Sequence, residues 1–241
     1  MRLFFISLFS SIVCGVLSAS GQSVPKENRT CRILFLGGQN SVPKVYLNDG
    51  VNTQLIKLSS LNLSDVYEVA PGNITLKLSS DFPSQEKPLP AGAPSVVVPE
   101  SMKDCYLLVA SDPKNSVLPL KLQVINASPS DFRPGQMLWL NLTPYHIGGQ
   151  LGNKTLDLKA HAQVIVDAPR NDNGGFSVNI GYEPGNNQKA IQLVSTQWLH
   201  NSSGRNVIFV MLLPNSQVPR IKGFSDLRMP KTEKSPSSST R

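Results

Sequence analysis

In the stretch NITLKLS the apolar side chains of Ile74, Leu76 and Leu78 alternate with Thr75, Lys77 and Ser79. A period of two sends one face of a strand inward and the other to water. VLPLKLQVI repeats the pattern through Leu118, Leu120, Leu122 and Val124. Around these lie short β-favouring runs bounded by Gly, Pro, Asn, Asp and Ser, at residues 32–36, 44–47, 54–58, 66–69, 95–98 and 105–110. More follow at 136–142, 154–158, 162–166, 176–182, 190–199, 206–213 and 219–224. Runs of this length and composition predict strands. No segment longer than ten residues carries a 3.6-residue period, so helices are expected to be single turns at most. Asp49-Gly50 in YLNDGVN tolerates positive φ and predicts a hairpin.

Two breaks organise the chain. Residues 81–95, DFPSQEKPLPAGAPS, hold four prolines and cannot continue a ladder, so they predict a loop or an edge cover. Residues 126–134, NASPSDFRP, set the expected boundary between a β domain at 31–126 and a β-sandwich domain at 127–227. Strand candidates in the second part recur at roughly 8 to 15 residues, the cadence of a sandwich. The expected fold is therefore all-β, as two tandem β-sandwich domains of immunoglobulin-like type.

One apolar stretch stands apart from this pattern. Leu3 to Val16 follows the single basic residue Arg2 and precedes Ser18, Ala19, Ser20 and Gly21. That order is a secretory signal peptide, expected at 1–21 with cleavage after Ser20 or Gly21. A helix of this stretch covers about 21 Å, short of the ~30 Å hydrocarbon core that a permanent span must cross. Val13 precedes Cys14 where lipid attachment requires a small residue, which argues against a lipoprotein. No later run approaches the length of a spanning helix, so the expected mature chain is periplasmic or secreted and has no membrane span.

Composition agrees with strands and loops. Charged residues make up 16% of the chain, against 19 Pro and 17 Gly, which favours short strands over amphipathic helices. The net charge is +7, and the tail from Arg228 concentrates it, with Arg228, Lys231, Lys234 and Arg241 set against Glu233. Those cations are spaced and no aromatic is interleaved, so 228–241 reads as a disordered basic tail and nucleic-acid binding is not expected. Cleavage would remove Cys14 and leave Cys31 and Cys105, each heading an apolar run (CRILFL, CYLLVA). An even pair in an exported chain predicts one disulfide, with two buried thiols as the alternative.

Candidate chemistry is sparse. His146, His161 and His200 fall in different segments, without HExxH, CxxC or CxxH spacing, and Asp157 with His161 sits in a strand-turn-strand rather than on a helix face. GxSxG is absent, and Gly37-Gly38, IGGQLG and NDNGG read as turns rather than phosphate cradles. Asn48 to Gly50 and Asp167 with Asn171, Asp172 and Asn173 offer oxygen donors for calcium, but these residues also suit hairpin loops. Catalytic residues, metal site and cofactor are all expected to be none. Seven N-x-S/T triplets, at Asn28, Asn62, Asn73, Asn126, Asn141, Asn153 and Asn201, would accept glycans in a eukaryotic secretory pathway. Trp139, Tyr145, Tyr182 and Trp198 are candidates for a glycan platform, weighed against core packing.

Leu118 to Phe224, through PLKLQVINASPSDFRPGQMLWLNLTPYHIGGQLGNKTLDL and QWLHNSSGRNVIFVMLLP, resembles secreted β-rich bacterial proteins of uncharacterised activity. The first half resembles small bacterial surface modules of immunoglobulin-like type. The resemblance implies an exported β fold and no site. The expected function is a non-catalytic structural or binding module for an unknown protein or glycan, engaged through loops or an exposed strand edge. Two alternatives stand beside it: a chaperone-like two-domain sandwich binding a client strand, and a carbohydrate-active or other hydrolase. A site joining two carboxylates, or a carboxylate with His146 or His161, would mark the hydrolase.

Overall fold

The computed structural model describes residues 29–37, 44–169, 174–185 and 189–227. The expected signal peptide with its cleavage after Ser20 or Gly21, the lead-in through Asn28 and the basic tail at 228–241 lie outside the described residues.

The described residues form sixteen strands and no helix, arranged as four four-stranded sheets. The first eight strands are β1 (Arg29–Phe35), β2 (Val45–Asn48), β3 (Thr53–Ile56), β4 (Tyr67–Val69), β5 (Ile74–Ser79), β6 (Ser95–Val98), β7 (Asp104–Ser111) and β8 (Leu120–Asn126). The second eight are β9 (Gln136–Asn141), β10 (His146–Leu151), β11 (Lys154–Leu158), β12 (Gln163–Asp167), β13 (Gly175–Glu183), β14 (Ile191–Leu199), β15 (Arg205–Met211) and β16 (Arg220–Asp226). The sheet orders are β4-β1-β7-β8 and β3-β2-β5-β6, then β12-β9-β15-β16 and β11-β10-β13-β14. Counted from each unit's own first strand, the two orders are the same in both halves. The parallel pairs also repeat, β1 with β7 and β9 with β15. The chain is thus a structural duplication that its sequence does not display.

Three cores hold the four sheets. Ile33, Leu47, Leu76, Leu107 and Val109 fill the space between the two sheets of the first half. Trp139, Leu151, Phe176, Val178 and Ile208 do the same in the second. A third core lies between the halves, where Leu34, Tyr106, Leu108 and Ile125 face Leu138, Leu140, Val207, Phe209 and Phe224. The sheets containing β1 and β9 are consequently covered on both faces. Their central strands are therefore mostly apolar on both faces, because a strand buried on both sides has no wet face to alternate with, and Arg32 is the charged exception on β1. CRILF, MLWL and VIFV are the result, and every residue of β9 is buried. The outer strands β5 and β13 keep alternation because one of their faces meets solvent.

Local devices fix the connections. Asp49 closes the β2–β3 hairpin by accepting from the amides of Val51 and Asn52, and it ties in β4's end through the amide of Ala70. Burial alone would raise its carboxyl, but these backbone donors outweigh burial and hold it below the usual carboxylate value. Gly50 follows at φ +90°, in the left-handed region. Between β8 and β9, Phe132 and Ala127 are fully buried, so this segment, read from sequence as a break, is packed into the third core.

IGGQLG, expected to be a turn, is most of strand β10. Glycine is required there for space: a Cβ on Gly149 would lie 2.0 Å from the carbonyl oxygen of Asn179 on β13. Ladder contact between β10 and β13 depends on the missing side chain.

Candidate functional site

Four charged groups and one phenol meet in the third core. Arg205 on β15 donates to Asp226 on β16 at 2.6 Å, to the carbonyls of Ala127 and Phe132, and to Asp104 on β7 at 3.4 Å. Arg32 on β1 reaches the other oxygen of Asp226, and the Tyr106 hydroxyl donates to Asp226 at 2.5 Å. Two guanidiniums face two carboxylates, so the cluster is neutral, and its bonds cross from one sandwich to the other. Arg205, Asp104 and Asp226 are all buried. No ligand can reach them, and the cluster's role is to lock the two halves in one orientation, since buried charges tolerate only arrangements that keep them paired.

The first half carries a cavity of about 250 Å³ under its proline-rich loop, lined by Ser79, Asp81, Pro88, Leu89 and Leu118, and the second half carries an exposed strand edge. β14 is an edge strand: it pairs with β13 along its length and has no strand on its other side among the described residues. Natural sheets guard such edges with charges, prolines or shortness. Edges β3, β4 and β6 have three or four residues, β11 carries Lys154 and Asp157, and β12 ends on Asp167. β8 carries Lys121, and β16 carries Arg220, Lys222 and Asp226. β14, IQLVSTQWL, has nine residues with no charge and no proline. It is the longest edge in the described structure, and its one guard is a bulge at Leu193, where the register with β13 shifts between Ile180 and Gly181; Val194–Leu199 beyond it pair regularly.

Beside it the second sandwich is open. In the first half β6 lies against β8 and closes that seam. Their counterparts β14 and β16 are separated by a groove of about 390 Å³, floored by Met137, Phe176, Trp198 and Ile208 and rimmed by Gln197, Asn206 and Ser225. Trp198 stacks on the buried Trp139 with ring centroids 5.8 Å apart and planes within 10°. Leu199 at the groove's end is 82% exposed.

A second cluster sits on the outer face of the same sheet. His146 at the start of β10 contacts Asp157 on β11 through Nε2 at 2.5 Å and Glu183 on β13 through Nδ1 at 3.2 Å. The hydrogen bond to Asp157 is the main cause that holds its imidazole above the ordinary value, with Glu183 adding to it against some desolvation. The two carboxylates occupy opposite ring nitrogens and cannot converge on one ion. Among the described residues no group of three or more His, Cys, Asp or Glu side chains is arranged to hold a metal. Next to the cluster, Gly148 and Gly181 leave a shallow depression of about 430 Å³.

No protein-family model matches this chain, and no curated protein matches it. The functional reading rests on the geometry above.

The remaining sequence candidates fall as follows. Cys31 and Cys105 are directly opposite in the parallel β1–β7 pair, both fully buried, and no disulfide joins them. The predicted bridge is not formed, although its two ends were placed together. Hydrogen bonding to Cys105, followed by burial, pushes the Cys31 thiol well above its usual value. His161 sits in a turn at φ 56° and Asp157 pairs with His146 instead of it. His200 and Trp139 have ring nitrogens that are buried without a hydrogen-bond partner among the described residues. Trp139 and Tyr182 are core residues, and Tyr145 and Trp198 pack against them, so the four rings form no flat outer platform. Asn141 is buried, donating to the carbonyls of Tyr145 and Lys159, and cannot carry a glycan in the folded chain. Asp167 bonds Gln136, and Asn171, Asp172 and Asn173 lie outside the described residues.

Sequence reasoning missed both the buried ion cluster and the open seam. Composition alone did not single out the seam: IQLVSTQWL is free of charge and proline, but so are QMLWLNL, FSVNIGY and NVIFVMLL.

Proposed function

We propose that this chain is an exported, non-catalytic binding module that captures an extended segment of a partner protein by adding it as a strand to the β14 edge. The observation that carries the reading is the long edge without charge or proline, regular over Val194–Leu199, where the other edges among the described residues are short or charged. Strand addition takes its affinity from main-chain hydrogen bonds, and β14 offers a row of them. The two units are immunoglobulin-like in size and in the facing of two sheets, with a strand order of their own. Export agrees with the N-terminal pattern, an apolar Leu3 to Val16 behind Arg2 and ahead of Ser18 to Gly21.

Proline substitution tests the edge. In an antiparallel pair, successive residues alternate between donating to the neighbour and donating outward. Of Ser195→Pro and Thr196→Pro, one therefore removes a bond to β13 and destabilises the fold, while the other removes only an outward donor. The second variant should keep its melting temperature and lose capture of peptides from a pool of unstructured, uncharged nonapeptides. Equal capture by a folded proline variant of this kind would refute strand addition.

A hydrolase is the second reading, favoured by one observation: His146 stands between two carboxylates beside an open depression. Turnover of an aryl glycoside panel, abolished by Asp157→Asn and Glu183→Gln, would support it.

A further inference from the structure

The open β14–β16 seam carries an inference about what the captured segment must look like, and it rests on the strand-addition reading. We infer that the seam selects a segment whose alternate side chains are apolar, from a polypeptide other than this one.

The two halves supply the argument. They share one strand order, so the first half shows how such a sandwich looks when its seam is filled: β6 lies against β8, and its partly buried Val96 joins the core there. In the second half the corresponding strands stand apart, and the interior side chains Met137, Phe176, Trp198 and Ile208 line the gap. A strand hydrogen-bonded to β14 would continue its sheet toward β16. Its side chains would alternate between the outer face, where Asn179, Ser195 and Gln197 present polar groups, and the gap, where the lining is apolar. The groove volume of about 390 Å³ accommodates two or three side chains of valine size. Polar atoms at the rim, among them the Ser225 hydroxyl bonded to Asn206, border this apolar floor rather than occupy it.

Residues 22–28, QSVPKEN, and 228–241, RMPKTEKSPSSSTR, are charged, contain proline and show no apolar alternation. A second copy is also a poor occupant. Offering its own β14 edge would present Val194 and Trp198, which already pack into that copy's core. The occupant that fits the apolar floor and the alternation of an added strand is a strand of another protein with one apolar face.

The chain's two tryptophans, Trp139 and Trp198, are stacked at this groove, so intrinsic fluorescence reports on it directly. The probe is a nonapeptide alternating valine and threonine between terminal lysines, compared with the same peptide carrying serine for every valine. The valine peptide should shift the tryptophan emission and bind at least about tenfold more tightly per valine buried. Leu199→Lys, at an exposed position on the groove, should weaken the valine peptide and leave the melting temperature unchanged.

The outcomes separate the two claims. If both peptides protect the β14 amides from exchange with equal affinity, strand addition stands and apolar selection fails. Absence of amide protection by either peptide means that the strand-addition reading itself fails. Sedimentation showing that the chain dimerises through β14 and excludes the peptide would make the occupant a second copy and overturn the inference.

Discussion

Asp226→Asn probes the cluster that joins the two halves. The carboxylate is fully buried and receives Arg205, Arg32 and the Tyr106 hydroxyl. With Asp104 it balances two guanidiniums, so the variant leaves one positive charge uncompensated in the third core. The amide preserves shape and, with its oxygen toward Arg205 and Tyr106, still accepts from both, but its NH2 then faces the Arg32 guanidinium, so a donor–donor contact adds to the lost charge. Breaking a buried pair by removing one partner costs about 3–5 kcal/mol. For a chain of this size, each kcal/mol moves the melting temperature by about 2–4 °C, so a fall of roughly 6–20 °C is expected. Urea unfolding followed by tryptophan emission gives the free energy, and calorimetry gives the temperature. The control is Lys154→Ala, whose ammonium lies 3.8 Å from Asp167 at the surface and should matter by no more than about 0.5 kcal/mol. A loss below about 1 kcal/mol for Asp226→Asn would show that the cluster is hydrated or misplaced, and the account of a locked orientation would fall with it.

Three other perturbations have defined outcomes. Gly149→Ala forces a methyl to within 2.0 Å of the Asn179 carbonyl and should cost about 1–3 kcal/mol or more, whereas Gly148→Ala, with its nearest neighbour the His146 ring at 3.5 Å, should be tolerated; urea midpoints for the pair decide this. His146 has its folded value raised above the ordinary 6.5, so its contribution is complete below that value and is lost as pH rises through the folded one. Wild type should lose stability relative to His146→Gln across that window, by a small amount because the cluster is largely exposed, and parallel melting-temperature profiles would contradict it. Cys31 and Cys105 should resist iodoacetamide in the native protein because both are buried and the Cys31 thiol titrates high; alkylation at the native rate of an exposed thiol would contradict the packing of the first core.

Much of the strand pattern was legible because periodicity follows directly from which faces are wet. Residues 74–78 and 176–182 alternate, and they are β5 and β13, each with one exposed face. The YLNDGVN hairpin was legible for a chemical reason, since Asp49 and Gly50 suit a tight reversal. The four-layer stacking was written in CYLLVA, MLWL and VIFV, whose unbroken apolar character marks strands covered on both faces, and in CRILF apart from Arg32, but one strand cannot say what covers it. β10 was misread because Gly148 and Gly149 look like turn residues until Asn179 is placed beside them. The duplication was hidden because equivalent positions hold different packing solutions: opposed cysteines on β1 and β7, and Trp139 opposite Ile208 on β9 and β15. His146, Asp157 and Glu183 are far apart in sequence, and only the β11-β10-β13 order brings them together. Of the proposed binding site, the sequence showed a strand without charge or proline among several; only topology places it at an edge, with no other strand beside it among the described residues.

Residue-resolved amide hydrogen exchange across Ile191–Leu199 tests the central claim most directly. Without ligand, alternate amides from Val194 to Leu199 should exchange rapidly, because in this regular stretch beyond the Leu193 bulge half of them donate to β13 and half point outward. Adding the alternating valine–threonine peptide should slow the fast set and leave the slow set unchanged. Uniform slow exchange in the unliganded protein, or a fast set that the peptide leaves unprotected, would contradict strand addition at this edge.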